Sequence, residues 1–283
     1  MPKVLLETKK LTFFYPGQAE SSAPALKEIN LQIEEGEYIA LIGANGSGKT
    51  TLLKQLNALL RPTSGEVYVD GISTTDENNL PQIRSLCGMI FQNPDNQIVG
   101  ATVEEDVAFG LENRAVPPPE IRRRVAAALE LLGISHLAGF PPHLLSGGEK
   151  QKVALAGLLA LSPRCLLLDE PTAMLDPAGQ AVLIEAVQRL NRERGITVIH
   201  VTHFPEEVVL AGRVLLLENG SLLKEGPPSE ILTDLPLLHR LGLRTTAAGE
   251  LAYLLREDGF PLPAGILHNR ELVKHLCLYA QKN

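Results

Sequence analysis

Cysteine is scarce in this chain of 283 residues. Cys87, Cys165 and Cys277 are odd in number, far apart and without a CxxC pair, which excludes a disulfide framework and a thiolate zinc site and points to a reducing compartment. A surplus of positive charge is missing too. With 26 Lys and Arg against 33 Asp and Glu, the net charge of -7 argues against nucleic acid as a partner, because phosphate backbones attract basic surfaces. Long hydrophobic runs are absent: no stretch approaches 18 apolar residues, and the opening MPKVLLETKK has no signal-peptide core. The chain is therefore expected neither to span a membrane nor to be exported, and any membrane role has to come through a partner. Internal repeats and low-complexity segments are lacking as well.

What the sequence does have is enough apolar material, 45% of its residues, to fill the core of one large α/β domain with a smaller appendage. Over residues 1–227, short β-branched runs alternate with helical patterns, the reading for a sheet with covering helices. EYIALIG, CLLLDE and ITVIHVTH are nearly continuous apolar runs, as parallel strands buried on both faces require. RVLLLENGSLLKEG brackets Asn219-Gly220, a two-residue hairpin signal, so part of the sheet is expected to be antiparallel. Residues 93–161 lose the β pattern and read as an inserted helical subdomain. Its basic run Arg122, Arg123 and Arg124 reads as a solvated helix face. Asp176-Pro177 opens a further helix and Gly195 closes it. Residues 228–283 form a helical tail whose Leu251, Leu254, Leu255, Leu272, Leu276 and Tyr279 have to pack on the main domain or on another copy of the chain.

Two anion cradles stand out. GANGSGKT, residues 43–50, fits the phosphate-loop pattern in full and sits between an apolar strand and the helical run KTTLLKQLNALL. Gly43, Gly46 and Gly48 let the backbone of Ala44, Asn45 and Ser47 curl so that N–H groups point inward. Together with the positive end of the helix, whose first turn includes Thr51, they bind phosphates. Lys49 neutralises the β- and γ-phosphates, and the Thr50 hydroxyl ligates Mg²⁺. Asp169 and Glu170 end a buried strand, where open α/β sheets bind ligands. Asp169 is placed to hold the Mg²⁺ shell through water and Glu170 to polarise a water for attack on the γ-phosphate, although two adjacent carboxylates there could instead cap the turn EPT. His203 ends the next strand and can hydrogen-bond the γ-phosphate and that water, whereas His200, inside the strand, reads as a core histidine. The other five histidines carry no ligand spacing.

The second cradle is LLSGGEKQK. Ser146 and Glu149 fit a capping box, which leaves the N–H groups of Gly147 and Gly148 pointing outward at a helix end that favours an anion. These residues, in this order, resemble the ATP-hydrolysing subunit of an ATP-binding-cassette transporter: an aromatic before the phosphate loop in LTFFYPG, a glutamine after a strand in MIFQNPDNQ, LSGGEKQ, TAMLDP and the histidine of HVTH. The fold implied is a phosphate-loop NTPase cassette with a mixed sheet, the inserted helical subdomain and a small C-terminal helical extension. In such proteins Tyr15 would stack on adenine, Gln92 would touch Mg²⁺ and the attacking water, and Asp176 would sit at a dimer seam. Ser146, Gly147, Gly148 and Glu149 would meet the nucleotide held by a partner cassette.

FQNPDNQIVGATVEEDVAFGLEN, EPTAMLDP and the tail LGLRTTAAGELAYLLREDGFPLPAGIL are similar to the ATPases of energy-coupling-factor transporters, importers of vitamins or of nickel and cobalt ions. That likeness implies ATP and Mg²⁺ as ligands and dimerisation, through the tail, with a second copy or a paralogous ATPase. It also implies an integral-membrane coupling subunit, a substrate-binding membrane subunit and a peripheral place on the cytoplasmic face of the cell membrane. The groove near Gln92 and Val99 would receive the coupling subunit, unless Ile98 and Val99 are core. Two departures are visible: Glu149 stands where glutamine is usual, and Phe204 where aspartate usually follows the histidine. A cassette ATPase of DNA repair would need a long insertion between Lys49 and Ser146, one acting on ribosomes usually has two cassettes, and a kinase leaves LSGGEKQ unexplained.

Overall fold

The computed structural model describes residues 3–17, 23–93 and 97–281. Six strands form the central sheet, in the order β10-β9-β3-β8-β7-β6: β3 (Tyr38–Gly43), β6 (Cys87–Ile90), β7 (Cys165–Asp169), β8 (Thr197–Val201), β9 (Arg213–Glu218) and β10 (Ser221–Gly226). All neighbours in it are parallel except β9 and β10. The turn joining that pair has positive φ at both Asn219 (48°) and Gly220 (77°), the backbone of a tight hairpin whose twist suits the strands it joins.

GEVYVDG belongs elsewhere. It forms β4 (Ser64–Val69) in a separate antiparallel sheet with β1 (Val4–Phe13), β2 (Leu26–Glu34) and β5 (Ile72–Ser73). The expectation of one sheet therefore has to be corrected to two. The physical reason lies in side-chain parity: on the central strands Ile39, Leu41, Leu167, Ile199, Leu215 and Leu217 face one way, and β1, β2 and β4 supply the apolar face that covers them. The opposite parity, including Ala40, Ile42, Leu166, Leu168, Val198 and Leu216, faces a second core closed by helices. With both faces covered, every β3, β7 and β8 residue is buried, which is why their sequences read as unbroken apolar runs.

Helix α1 (Lys49–Leu56) packs Leu52, Leu53 and Leu56 into the first core and stops short of the run suggested by the sequence, Ala58 taking φ 54°. A short α2 (Leu80–Leu86) leads into β6. Between β6 and β7 lie α3 (Val103–Glu112), α4 (Pro118–Leu131) and α5 (Gly147–Ala160), the helical stretch. On α4, Val125, Ala128, Leu129 and the following Leu132 form the buried stripe at helical spacing, while Glu120 holds Arg123 and Arg124 at 2.7 Å on the outer side. The basic run is thus a solvated face tied to its own helix. Next, α6 (Pro177–Arg194) begins at Asp176, whose carboxylate accepts from the Gly179 N–H at 2.9 Å, and ends at Gly195 with φ 64°.

After β8 comes α7 (Pro205–Val208), and after β10 the chain runs through α8 (Pro228–Ile231), α9 (Leu235–Arg240), α10 (Ala247–Glu257) and α11 (Asn269–Ala280). Ile231, Leu232 and Leu238 join the main core, but α10 and α11 enclose a small core of their own from Ala248, Ala252, Leu262, Ile266 and Leu272. Leu255 and Leu276 are partly buried against it. Leu251 and Leu254 remain 46% and 54% exposed, and Tyr279, its ring against Phe260, stays exposed too. Among the described residues no helix is long and apolar enough to cross a membrane.

One glycine ties the sheet to the cradle. Gly43 ends β3 at φ 153°, and a Cβ there would lie 2.4 Å from the Leu217 carbonyl oxygen of β9 and 2.6 Å from Ser47 Oγ. Gly46 also has positive φ, 77°, but a Cβ there meets nothing within 4 Å. Gly43→Ala is expected to destabilise the unliganded chain by about 3 kcal/mol, adding a backbone clash to the left-handed strain, against about 1 kcal/mol for Gly46→Ala. Urea denaturation midpoints check the ranking, and equal losses would contradict the close approach.

Candidate functional site

At the C-terminal end of β3, where the parallel strands open, lies a cavity of about 730 Å³. Tyr15, Asn45, Gly46, Gly48, Lys49, Thr50, Thr51, Gln92, Glu170 and His203 line it. Residues from five separate parts of the chain thus converge on one space. Gly43, Ala44 and Ser47 form the back of the cradle: the Ser47 N–H donates to the Ala44 carbonyl at 3.1 Å, and Gly48 caps α1 at φ 104°. That left-handed cap aims the first N–H groups of α1 into the cavity.

The lysine is buried, and among the described residues its hydrogen bonds go to its own loop. Lys49 Nζ donates to the carbonyls of Gly43 at 2.8 Å and Ala44 at 3.0 Å. Burial lowers its pKa, and the carboxylates of Glu170 and Asp169 oppose that shift. An ammonium so placed gains from a phosphate, which replaces two neutral acceptors with a charged one. Among the described residues the buried Ser47 hydroxyl has no hydrogen-bond partner, a second sign that the cradle is shaped for an anion.

Asp169 ends β7 behind Thr50. Burial raises its carboxyl pKa and a hydrogen bond with Thr50 lowers it. Next to it, Glu170 takes φ 49°, a left-handed conformation that a side chain with a Cβ adopts only at a cost of about 1–2 kcal/mol. The turn rotates the carboxylate out of the strand and over the cavity. One oxygen stands 2.8 Å from His203 Nε2, and the other accepts from Gln92 Nε2 at 3.0 Å. This carboxylate, held from two sides by groups that do not belong to the phosphate loop, has the placement of a base for a water near Lys49. The Thr50 hydroxyl, the Asp169 carboxylate and the Gln92 amide oxygen are hard oxygen donors of the kind Mg²⁺ takes.

Tyr15 stands at the mouth, its hydroxyl 3.0 Å from Thr51 Oγ1 and its ring edge-on to Phe13 at 5.0 Å. Sequence reasoning missed part of the wall, namely Ala23, Pro24, Ala25, Asn219 and Gly220. The Gly220 N–H donates to the Ser47 carbonyl at 3.0 Å, and a Cβ on Gly220 would lie 2.9 Å from the Ala25 carbonyl oxygen. The available signal was the Asn219-Gly220 turn, legible as a hairpin but not as a neighbour of the phosphate loop.

Ser146, Gly147, Gly148 and Glu149 are not among the residues lining this cavity. They open α5 on the surface. The Ser146 hydroxyl accepts from the Glu149 N–H at 3.3 Å, and Glu149 Oε2 takes the Ser146 N–H at 2.8 Å and its hydroxyl at 2.7 Å. These bonds hold the Glu149 carboxyl below its usual range. The first-turn N–H groups of Gly147 and Gly148 have no acceptor within the helix. Asp176, next to this helix start through Met174 and Leu175, is likewise outside the cavity. Residues 94–96 lie outside the described residues. Ile98 is partly exposed and Val99 is 64% exposed, which removes the core reading of Val99.

Residues 26–173 match the protein family described as ABC transporter. The energy-coupling factor transporter ATP-binding protein EcfA1 of Caldanaerobacter subterraneus subsp. tengcongensis is 50% identical over 273 residues, 96% of this chain and 99% of that protein. The structure of CbiO1 from Clostridium perfringens, part of the ABC transporter complex CbiONQ, superposes with a TM-score of 0.75 at 37% identity, covering 88% of this chain and 98% of that one. A dimeric ATP-binding cassette in a post-hydrolysis state, bound to ADP and Pi, has a TM-score of 0.74 at 35% identity over 79% of this chain and 99% of its own. With the phosphate cradle, the flanking carboxylates and the separate LSGGEKQ helix all in place, the chain belongs to the ABC transporter family, among the ATP-binding proteins of energy-coupling factor transporters.

Proposed function

We propose that this chain binds and hydrolyses ATP to drive an energy-coupling-factor importer for vitamins or for cobalt or nickel ions, from the cytoplasmic face of the membrane. The observation that carries the reading is the division of the anion-binding groups. One cradle has a lysine, two carboxylates and a glutamine around a cavity; the other is exposed, has no lysine among Ser146 to Glu149, and its first-turn N–H groups have no acceptor within the helix. A single nucleotide pocket needs both only if two cassettes face each other head to tail, each covering the nucleotide of its partner.

In this mechanism the phosphate loop and Lys49 hold the β- and γ-phosphates and the Tyr15 ring takes the adenine. Thr50, Gln92 and, through water, Asp169 would hold a Mg²⁺, which would neutralise phosphate charge. Glu170 withdraws a proton from the attacking water, Gln92 and His203 keep the Glu170 carboxylate aimed, and His203 also donates to the γ-phosphate. ATP then favours the closed pair because its phosphates attract the positive helix end at Gly147 and Gly148. Hydrolysis removes that attraction and reopens the pair, and Asp176 lies beside the seam.

Two surfaces suit the partners. A hollow of about 410 Å³ lined by Ile98, Val99, Pro142 and His143 fits a helix of an integral-membrane coupling subunit, which in turn meets the substrate-binding subunit. The exposed Leu251, Leu254, Val273 and Leu278 of α10 and α11 give the tail an apolar face for a second copy or a paralogous ATPase. The full chain, expressed in its own host and solubilised with mild detergent, is expected to co-purify with integral-membrane proteins and to hydrolyse ATP. Recovery with ribosomes or DNA in their place overturns the transport reading.

A further inference from the structure

Behind the cavity lies a buried polar cluster to which none of the roles above gives a use. His200, on β8, is fully buried, with Nδ1 3.2 Å from the Tyr38 hydroxyl and Nε2 3.3 Å from Glu207 Oε2. Glu207, on α7, is itself 6% exposed. Its Oε2 accepts from the Thr202 hydroxyl, which in turn accepts from the Phe204 N–H at 3.1 Å. Thr202 and Phe204 flank His203, so the peptide carrying the imidazole is pinned from both sides. On its other side the Glu207 carboxylate interacts with the hydroxyl of Thr172, in the turn that begins at Glu170. Glu207 Oε1 and Thr172 Oγ1 are both buried and have no hydrogen-bond partner among the described residues.

A buried carboxylate is costly, and glutamine or methionine would fill the same space more cheaply. Burial pushes the Glu207 carboxyl up and holds His200 down at about 3, so the imidazole stays neutral and does not offset that cost as an ion-pair partner. What the carboxylate gains instead is a hydroxyl partner on the loop next to His203, with the Thr172 hydroxyl, two residues beyond Glu170, on its other side.

We propose that Glu207 is a positioning residue for ATP hydrolysis: by accepting from the Thr202 hydroxyl it anchors the loop that carries His203 and so sets the 2.8 Å contact between the imidazole and the Glu170 carboxylate. This inference rests on Glu170 and His203 having the roles given above.

The test uses the full-length protein, with steady-state ATP hydrolysis measured across ATP concentrations and thermal unfolding measured beside it. Glu207→Gln and Thr202→Val are expected to lower kcat by about 10- to 100-fold, the loss typical of an ångström-scale misplacement, with KM for ATP within about two-fold. Thr202→Ser, which keeps the hydroxyl, restores kcat to within about three-fold, and the Glu207→Gln/Thr202→Val pair is no slower than the slower single variant. Unchanged kcat in both single variants, or losses that follow the unfolding midpoint and are not rescued by serine, overturns the proposal. If Glu207→Gln fails to fold, the Thr202 pair decides alone. Wild-type turnover in Glu170→Gln or His203→Ala would instead remove the catalytic assignment. Loss of turnover in those variants, with Glu207→Gln and Thr202→Val intact, removes only the positioning role.

Discussion

Glu170→Gln is expected to lower the rate of ATP hydrolysis by about 10³-fold while ATP binding by the same protein stays within about two-fold of wild type. Glutamine keeps the volume of the side chain and can still accept from the Gln92 amide, so neither the cradle nor its surroundings collapse. What it cannot do is take a proton. None of the groups that hold the nucleotide includes Glu170, so its loss bears on the transition state and leaves ground-state binding alone. A further consequence follows if two cassettes close over ATP: with hydrolysis blocked, the closed pair has no route back to the open one. Sedimentation in the presence of ATP and Mg²⁺ should therefore show the variant as a dimer under conditions in which the wild-type protein passes through that state transiently. Hydrolysis within a few-fold of wild type would assign the base to another group.

The parts of this site that were legible in the sequence are those in which local chemistry and local geometry coincide. GANGSGKT must curl because its glycines sit at φ values of 153°, 77° and 104°, and the strand before it and the helix after it are adjacent in sequence. Asp176-Pro177 and Gly195 fix both ends of α6 by the same local logic, and Ser146 and Glu149 close their capping box within four residues. The features that were not legible depend on contacts across the fold. Nothing within GEVYVDG says that it joins a second sheet, because the partners that decide it, Leu6 and Thr8 of β1, lie about 60 residues away. The tail has the same difficulty. Its leucines announce burial without saying against what, and in the structure Leu272 closes a private core while Leu251 and Leu254 on the neighbouring helix stay outside it.

His200 shows how a local reading can be right and still incomplete. A histidine inside an apolar strand reads as core, and it is fully buried. The sequence could not show that Glu207, seven residues on and past the turn at Phe204, folds back to within 3.3 Å of it. A glutamate in PEEVV looks like the exposed face of a short helix. Only the tertiary fold turns one of the two adjacent glutamates inward, where Thr202 meets it, and leaves Glu206 outside.

Ser146→Arg addresses the other half of the proposed machine. The substitution is expected to leave ATP binding by the isolated chain within about two-fold, because Ser146 is not part of the wall of the 730 Å³ cavity. It should nevertheless abolish ATP-driven dimerisation in the Glu170→Gln background and cut turnover by about 10²-fold or more in the otherwise wild-type chain. Two effects combine. A long side chain now projects from the start of α5 into the space that the partner's nucleotide has to occupy. The capping box is lost as well, at about 1 kcal/mol, and Glu149, which had bonded the Ser146 N–H and hydroxyl, no longer has its hydroxyl partner. Its carboxylate then repels phosphate where an inward-folded one did not. Ser146→Ala separates the two effects, since it removes the cap without adding bulk, and it should retain part of the dimerisation that arginine abolishes. ATP affinity measured on monomers is the decisive quantity. If Ser146→Arg weakens that affinity in proportion to the loss of turnover, the exposed N–H groups of Gly147 and Gly148 serve the nucleotide of their own chain, and the head-to-tail arrangement is wrong. If affinity holds and closure fails, the cradle at Ser146 to Glu149 belongs to the nucleotide of the partner, whose own phosphate loop already supplies a lysine for the phosphates.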